Sequence, residues 1–170
     1  HGDLATEITS VKDFGSILSQ MTEDNYFIYH LDDKHSTFRF HHFFQEFLQQ
    51  RGRDRFSQEE VAKIHRQEAD FYLRKEMIER ALTCYRNGED FIMMEKVLKE
   101  HGMSLIARNR NLTILTLLQT IPEQILFQHK WLTLYTGLLQ VDFVPQKTLL
   151  FFDAVRDHFV KTGEETGELL

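Results

Sequence analysis

The first 40 residues of the chain pass from a helical to an alternating hydrophobic period. Over residues 11–21 the apolar side chains recur at offsets of three, four and seven, which predicts a helix with one apolar face. The stretch 26–30 is dense in aromatic and β-branched residues, and 37–40 alternates between apolar and polar positions, as strands do. Because a polar break at 32–34 separates them, we predict a two-stranded hairpin.

The second predicted strand sorts its side chains onto two faces. Phe38 and Phe40 share one face, which is predicted to point at the core, so Arg39 and His41 project from the opposite one. The strand thus presents a guanidinium and an imidazole away from the apolar interior.

The helical period returns at His42, and Gly52 is predicted to end the helix that begins there. A helix, a hairpin and a second helix are typical of a winged helix, and we assign residues 1–55 to a partial winged-helix domain. We expect the chain to be a piece of a longer protein because it lacks an initiator methionine, and we expect the first helix of the domain to be missing from it.

Residues 56–170 carry a succession of helical patterns. Ser57 and Glu60 have the spacing of a capping box, which predicts the start of a long helix. Further helices are predicted at 76–86, 90–101, 104–108, 112–120, 130–141 and 146–161. Helices of this length joined by short turns form antiparallel hairpins, and a row of hairpins builds a solenoid, although no repeat of fixed period is present. The chain is therefore predicted to be mostly α, with residues 56–170 as a helical sensor or interaction domain.

Composition excludes several classes of function. The formal net charge is −6, and a surface of that sign repels phosphate backbones, so we expect no direct DNA binding. The single cysteine, Cys84, can form neither an internal disulfide nor a paired metal motif, which favours a reducing, cytoplasmic location. No apolar run is long enough to span a membrane.

Enzymatic and metal-binding motifs are absent from the sequence. It has no phosphate-binding loop and no zincin helix, so we predict no catalytic residues. The nine histidines are scattered, and the adjacent pair His41 and His42 is expected to leave opposite sides of the backbone. We therefore predict no metal site and no cofactor of this chain's own.

Two places are candidates for binding. His41 lies where the first N–H groups of a helix are unpaired and the helix dipole favours an anion, and Arg39 points the same way, so the two could bind a phosphate. The alternative for His41 is a capping or packing histidine. Trp131 and Tyr135 are possible partner contacts on the helical region, but they share a helical face with Leu134 and Leu138, which favours a core position.

The segment F-R-F-H-H-F-F-Q-E-F-L at 38–48 resembles the Y-R-Y-H-x-L-F-x-x-F-L signature of bacterial MalT-like regulators, which are LuxR-class signal-transducing ATPases with numerous domains (STAND). The family's later pattern of His-Arg-x-Ala, Tyr, Glu-x-Ala-Leu and Gly-Asp is similar to the residues at 64–69, 72, 79–82 and 88–90. The resemblance covers residues 4 to about 100 and is most specific at 38–48.

The resemblance implies a winged helix followed by a tetratricopeptide-like (TPR-like) superhelix. It also implies a parent protein with a separate ATPase domain that binds ATP or ADP and a separate DNA-binding domain, both partners of this region, and an unknown inducer or protein bound on the helical array. His41 matches the position of the STAND histidine that contacts the β-phosphate of ADP, although the flanking residues Phe40 and His42 depart from the Met-His-Asp pattern. His41, with Arg39 beside it, is thereby implied to sense the phosphate.

The function implied is that of an internal regulatory scaffold of a signal-responsive transcriptional regulator, not an enzyme. The alternative is a winged-helix DNA-binding protein with a helical effector domain. A gel-shift titration at low salt distinguishes the two, because only the alternative requires tight, salt-sensitive binding to DNA.

Overall fold

The computed structural model of the chain describes residues 2–9, 11–24, 26–31, 38–141 and 143–162. Within these ranges it contains ten α-helices and one two-stranded antiparallel sheet, which confirms the predicted mostly α fold. The chain divides into two compact units, His1–Phe71 and Tyr72–Leu170, and the division falls inside a helix. The predicted domain boundary near residue 55 and the TPR-like repeat arrangement stay predictions.

The first unit contains the predicted helix, hairpin and helix, and one further helix before them. Its elements are α1 (Gly2–Thr9), α2 (Phe14–Glu23), β1 (Ile28–His30), β2 (Phe38–Phe40), α3 (His42–Arg55) and the greater part of α4 (Gln58–Arg74). Helix α1 was not predicted, because eight residues are too few to show a helical period. It packs against α2, which in turn contacts β1.

The two strands pair in a register that separates an inner from an outer face. Ile28 lies opposite Phe40 and is only 5% exposed, and Phe40 is half-buried. Tyr29 lies opposite Arg39, and both side chains are exposed. The predicted two faces of the second strand are confirmed, whereas the predicted turn at 32–34 lies outside the described residues.

The capping box is present as predicted. The Glu60 carboxylate accepts hydrogen bonds from the Ser57 N–H (2.8 Å) and hydroxyl (3.0 Å), and the Glu60 N–H donates to the Ser57 hydroxyl oxygen (3.2 Å). These bonds to the charged form lower the pKa of Glu60, the bond from the Ser57 backbone having the largest effect. Helix α4 begins directly after Ser57.

The second unit is entirely helical in the part of the chain that is described. After the end of α4 its elements are α5 (Ile78–Asn87), α6 (Phe91–Ala107), α7 (Asn111–Gln119), α8 (Glu123–Leu126), α9 (Lys130–Gln140) and α10 (Pro145–Thr162). Helix α9 is central to the unit and contacts α6, α7, α8 and α10. The largest fully buried side chains come from these helices, among them Tyr85, Met94, Leu118, Leu132 and Phe151. None of the described helices combines the length and apolar composition that crossing a bilayer requires.

Two glycines predicted to end helices lie inside them instead. Helix α3 continues through Gly52 to Arg55, and α6 continues through Gly102 to Ala107, so the two helices predicted at 90–101 and 104–108 are one. A glycine within a helix lowers the stability of that helix by only about 1 kcal/mol relative to alanine, so a helix can continue through it. At Gly102 the reason for glycine is packing, because an added Cβ would lie 2.5 Å from Tyr135 Oη and 2.7 Å from Tyr135 Cε1.

The N-terminus of α9 is capped by a side chain from another helix. Glu95 on α6 accepts the Trp131 backbone N–H at 2.9 Å through one carboxylate oxygen and contacts His129 Nδ1 at 3.0 Å through the other. The side chains of Glu95 and His129 are only 20% and 16% exposed. The interaction therefore satisfies a helix-terminal donor in a largely desolvated place.

Candidate functional site

The junction between β2 and α3 positions His41 at the N-terminus of a helix. His41 is the N-cap residue of α3, with extended backbone angles (φ −57°, ψ 141°). Its N–H donates to the Phe27 carbonyl at 2.7 Å, and its carbonyl accepts the Gln45 N–H at 2.9 Å. The imidazole makes no capping hydrogen bond, so the side chain is not used to satisfy the first turn of α3. The predicted position of His41 at a helix start is confirmed.

The His41 ring belongs to an exposed aromatic cluster formed with His42, Phe43 and Phe27. Its centroid lies 4.7 Å from that of His42 and 5.6 Å from that of Phe43, and it meets Phe27 edge-on at 6.4 Å. The expectation that the two histidines leave opposite sides of the backbone was wrong. The strand alternation ends at His41, where α3 begins, so the next side chain turns back towards it.

Arg39 lies on the outer face of the hairpin, as predicted, and borders an open groove of about 450 Å³. The groove is lined by Phe38, Arg39, Phe40, Gln45, Leu48 and Gln49. His41 is not among its described lining residues. Arg39 and His41 are thus both exposed but have different surroundings. Arg39 borders a groove that Gln45 and Gln49 also line, whereas the His41 ring lies among aromatic rings.

The two predicted partner contacts differ in burial. Tyr135 is 2% exposed and fills the space above Gly102, in the core of the second unit. Burial raises the pKa of its hydroxyl, and a hydrogen bond from the Met103 backbone acts weakly in the opposite direction. Trp131 is half-buried, with the Lys99 ammonium 5.6 Å from its ring centroid. Of the two, Trp131 is the one that a partner could reach.

The described residues contain no group of three or more histidine, cysteine, aspartate or glutamate side chains placed to hold a metal ion. Cys84 is buried within α5.

Residues 1–60, which include the hairpin and the junction, match the family model described as "MalT winged helix domain". This part of the chain is therefore similar to the MalT winged helix domain. Two curated relatives extend the match beyond that domain. The chain is 26% identical over 137 residues to "HTH-type transcriptional regulator MalT" of Vibrio parahaemolyticus serotype O3:K6 (strain RIMD 2210633). It is 24% identical over the same length to the protein of that name from Vibrio campbellii (strain ATCC BAA-1116).

Each alignment covers 81% of this chain but only 15% of the relative. The chain thus spans a small part of the length of the curated proteins it matches. Both relatives are named as transcriptional regulators and neither as an enzyme. No solved structure matches the chain.

Sequence reasoning missed the role of Phe27 at the junction between β2 and α3. Phe27 has φ 57°, a left-handed conformation that bulky residues rarely adopt, and in it the carbonyl reaches the His41 N–H. Its ring packs against Phe44, which also contacts Phe40. The backbone strain at Phe27 therefore coincides with the junction that holds His41, and its only signal in the sequence was membership of an aromatic run.

Proposed function

We propose that the chain is an internal regulatory region of a signal-responsive transcriptional regulator. In this proposal the winged-helix domain senses the nucleotide state of an ATPase domain in the parent protein, and the helical unit binds an inducer or protein partner. The match of residues 1–60 to the MalT winged helix domain and the two relatives named as regulators support this assignment. DNA readout belongs to another domain of the parent, in keeping with the net charge of −6.

The nucleotide-sensing role is supported by two properties of His41, which are its exposed position at a helix N-terminus and the absence of a capping hydrogen bond from its imidazole. An exposed imidazole that makes no capping bond stands at the N-terminus of a 14-residue helix, where backbone N–H groups and the helix dipole favour a phosphate. His41 would donate a hydrogen bond to the β-phosphate of ADP and thereby stabilise the resting form, and Arg39 would supply a positive charge from the outer face of β2. ATP or ADP is held by the parent's ATPase domain in this scheme.

The test uses the full-length protein with His41→Ala, and His42→Ala as the matched control from the same cluster. A hydrogen bond to a charged group contributes about 1.5–3 kcal/mol, so His41→Ala is expected to speed ADP release by about 10- to 100-fold. It should also raise transcription of a reporter gene in the absence of inducer. His42→Ala should change both much less.

Fluorescently labelled ADP gives the release rate, and the reporter gives the basal activity. Unchanged ADP release and unchanged basal transcription in His41→Ala would exclude the proposed role of His41. Equal effects of the two substitutions would show that the cluster as a whole, and not His41, matters.

A further inference from the structure

Helices α5 and α7 border an open groove of about 410 Å³ that lies wholly within the second unit. We call it the threonine groove, because four of its lining residues are threonines. It is lined by Thr83, Arg86, Leu112, Thr113, Thr116, Leu117 and Thr120. Nothing in the proposed nucleotide-sensing role uses these side chains.

The two helices run side by side in the same direction. Arg110, the N-cap residue of α7, pairs with Glu79 in the first turn of α5 at 3.4 Å, and Arg86 in the last turn of α5 lines the groove together with Thr120 at the end of α7. The returning helix α6 connects them. The groove is therefore a strip along two parallel helices, and it follows their length.

Two of the four threonine hydroxyls are already used as donors. Thr83 donates to the Glu79 carbonyl at 2.9 Å, and Thr120 donates to the Leu117 carbonyl at 2.6 Å. Both threonines therefore present their methyl groups and remaining oxygen lone pairs. As a result, these parts of the groove wall offer methyl groups and hydrogen-bond acceptors to a ligand. The cationic hydrogen-bond donor on the wall is Arg86.

Arg86 has an unmet hydrogen-bonding requirement. Its Nε atom is buried, and it has no hydrogen-bond partner among the described residues. Buried polar groups are normally paired, because a donor removed from water without an acceptor costs free energy. Because Nε is buried, a carboxylate in the groove would accept from it only once the Arg86 side chain turned towards the groove, where two parallel N–H···O bonds with the guanidinium would form at once.

The charges around the groove also favour an acidic ligand. Helix α7 has no charged residue, and the turn that precedes it carries Arg108 and Arg110. The nearest acid on α5, Glu79, is paired with Arg110. Glu89 lies just beyond the end of α5 and Glu79 offsets Arg110, so the cationic character of the groove comes from Arg86 on its wall.

The shape of the groove selects a peptide over a small molecule. Small-molecule sites bury about 70–90% of the ligand surface, whereas the threonine groove is open and Leu112 on its wall is 69% exposed. We propose that it binds an acidic peptide segment of a partner protein, in which a carboxylate pairs with Arg86 and an aliphatic side chain packs on Leu112 and Leu117. This inference rests on the proposed role of the helical unit as the partner-binding half of the regulator.

The probe is the peptide Ac-SLEELLES-NH2, and its matched control is Ac-SLQQLLQS-NH2, in which every carboxylate is an amide. Each is titrated into the 170-residue chain while the arginine Nε–H and backbone amide signals are followed by NMR. The acidic peptide is expected to shift the Arg86 Nε–H signal and the amides of Thr113 and Thr116, and to bind at least about tenfold more tightly than the amide peptide.

Variants of the chain test the same contact from the other side. Arg86→Gln should weaken the acidic peptide about tenfold, whereas Arg80→Gln should not, since Arg80 lies on the same helix but stacks on Tyr72. The comparison of the two peptides on the unsubstituted chain does not depend on whether either variant folds.

Three results would overturn the proposal. They are equal binding of the two peptides, the absence of any shift at the groove with millimolar acidic peptide, and identical shifts with glutarate alone, which would make the groove a small-carboxylate site. Each of these leaves the regulatory role untouched, because that role is tested separately by ADP release and reporter transcription in the full-length protein.

Discussion

Replacing Gly102 by alanine isolates the contact between α6 and α9. At an ordinary helical position this substitution stabilises a protein by about 1 kcal/mol, because glycine loses more backbone entropy on folding. At Gly102 the added Cβ would lie within 3 Å of two ring carbons and the hydroxyl oxygen of Tyr135, a residue that is 2% exposed. A buried aromatic ring cannot move aside without displacing its neighbours.

Overpacking of a buried site costs about 1–3 kcal/mol, and contact with three atoms of the Tyr135 side chain places Gly102→Ala at the upper end. Subtracting the gain of about 1 kcal/mol in helix propensity leaves a net loss of about 2 kcal/mol in the free energy of unfolding. In a Tyr135→Leu background the ring atoms are gone, so the same alanine should instead stabilise by about 1 kcal/mol. The coupling energy between the two positions is thus about 3 kcal/mol.

Urea denaturation followed by circular dichroism measures these differences, with Gly52→Ala as the matched control. Gly52 also lies inside a helix, but the nearest atom to an added Cβ is Phe56 Cδ2 at 4.0 Å, so alanine should stabilise there by about 1 kcal/mol. If Gly102→Ala raised the urea midpoint as Gly52→Ala is expected to, or if its effect were the same with and without Tyr135, the packing argument would be refuted.

Two further predictions concern helix capping. Ser57→Ala should raise the pKa of Glu60 only part of the way towards that of an ordinary glutamate, because it removes the hydroxyl bond but keeps the backbone N–H that lowers the pKa most; carboxyl carbon NMR measures the change. Because the folded-state pKa is lowered, the box stabilises the fold above the unfolded pKa of about 4.3 and loses this effect as the pH falls through the folded pKa. Ser57→Ala should weaken that dependence in part, and an unchanged titration would contradict the contribution of the hydroxyl. Glu95→Ala should destabilise the second unit by about 1–3 kcal/mol, since it removes the acceptor of the Trp131 N–H and leaves His129 without its partner. Glu95→Gln keeps an acceptor and should cost less, and equal urea midpoints for Glu95→Ala and the unsubstituted chain would contradict the cap.

Local patterns in the sequence predicted the elements that depend on local physics. The change of hydrophobic period at residues 38–42 placed the end of β2 and the start of α3 correctly, and with them His41 at the helix N-terminus. The capping box placed the start of α4. In these cases the cause and the effect lie within four residues of each other, so a single sequence is enough to find them.

The features that were missed depend on residues far apart in the chain or on backbone angles. Gly102 read as a helix stop because its partner, Tyr135, lies 33 positions later, and the link from Glu95 to the start of α9 spans a similar distance. The left-handed backbone of Phe27 has no sequence signature, because glycine or asparagine is the usual residue there. Helix α8 is too short to show a period.

The cap that Glu95 provides to α9 has a consequence for how the second unit opens. A helix that supplies its own cap can fray and re-form by itself, whereas α9 loses a partner for its first-turn donors whenever α6 moves away. Since α9 also contacts α7, α8 and α10, transient opening of α6 should expose amides throughout the unit at a common hydrogen-exchange rate. Any molecule that holds α6 in place therefore slows exchange in helices it never touches.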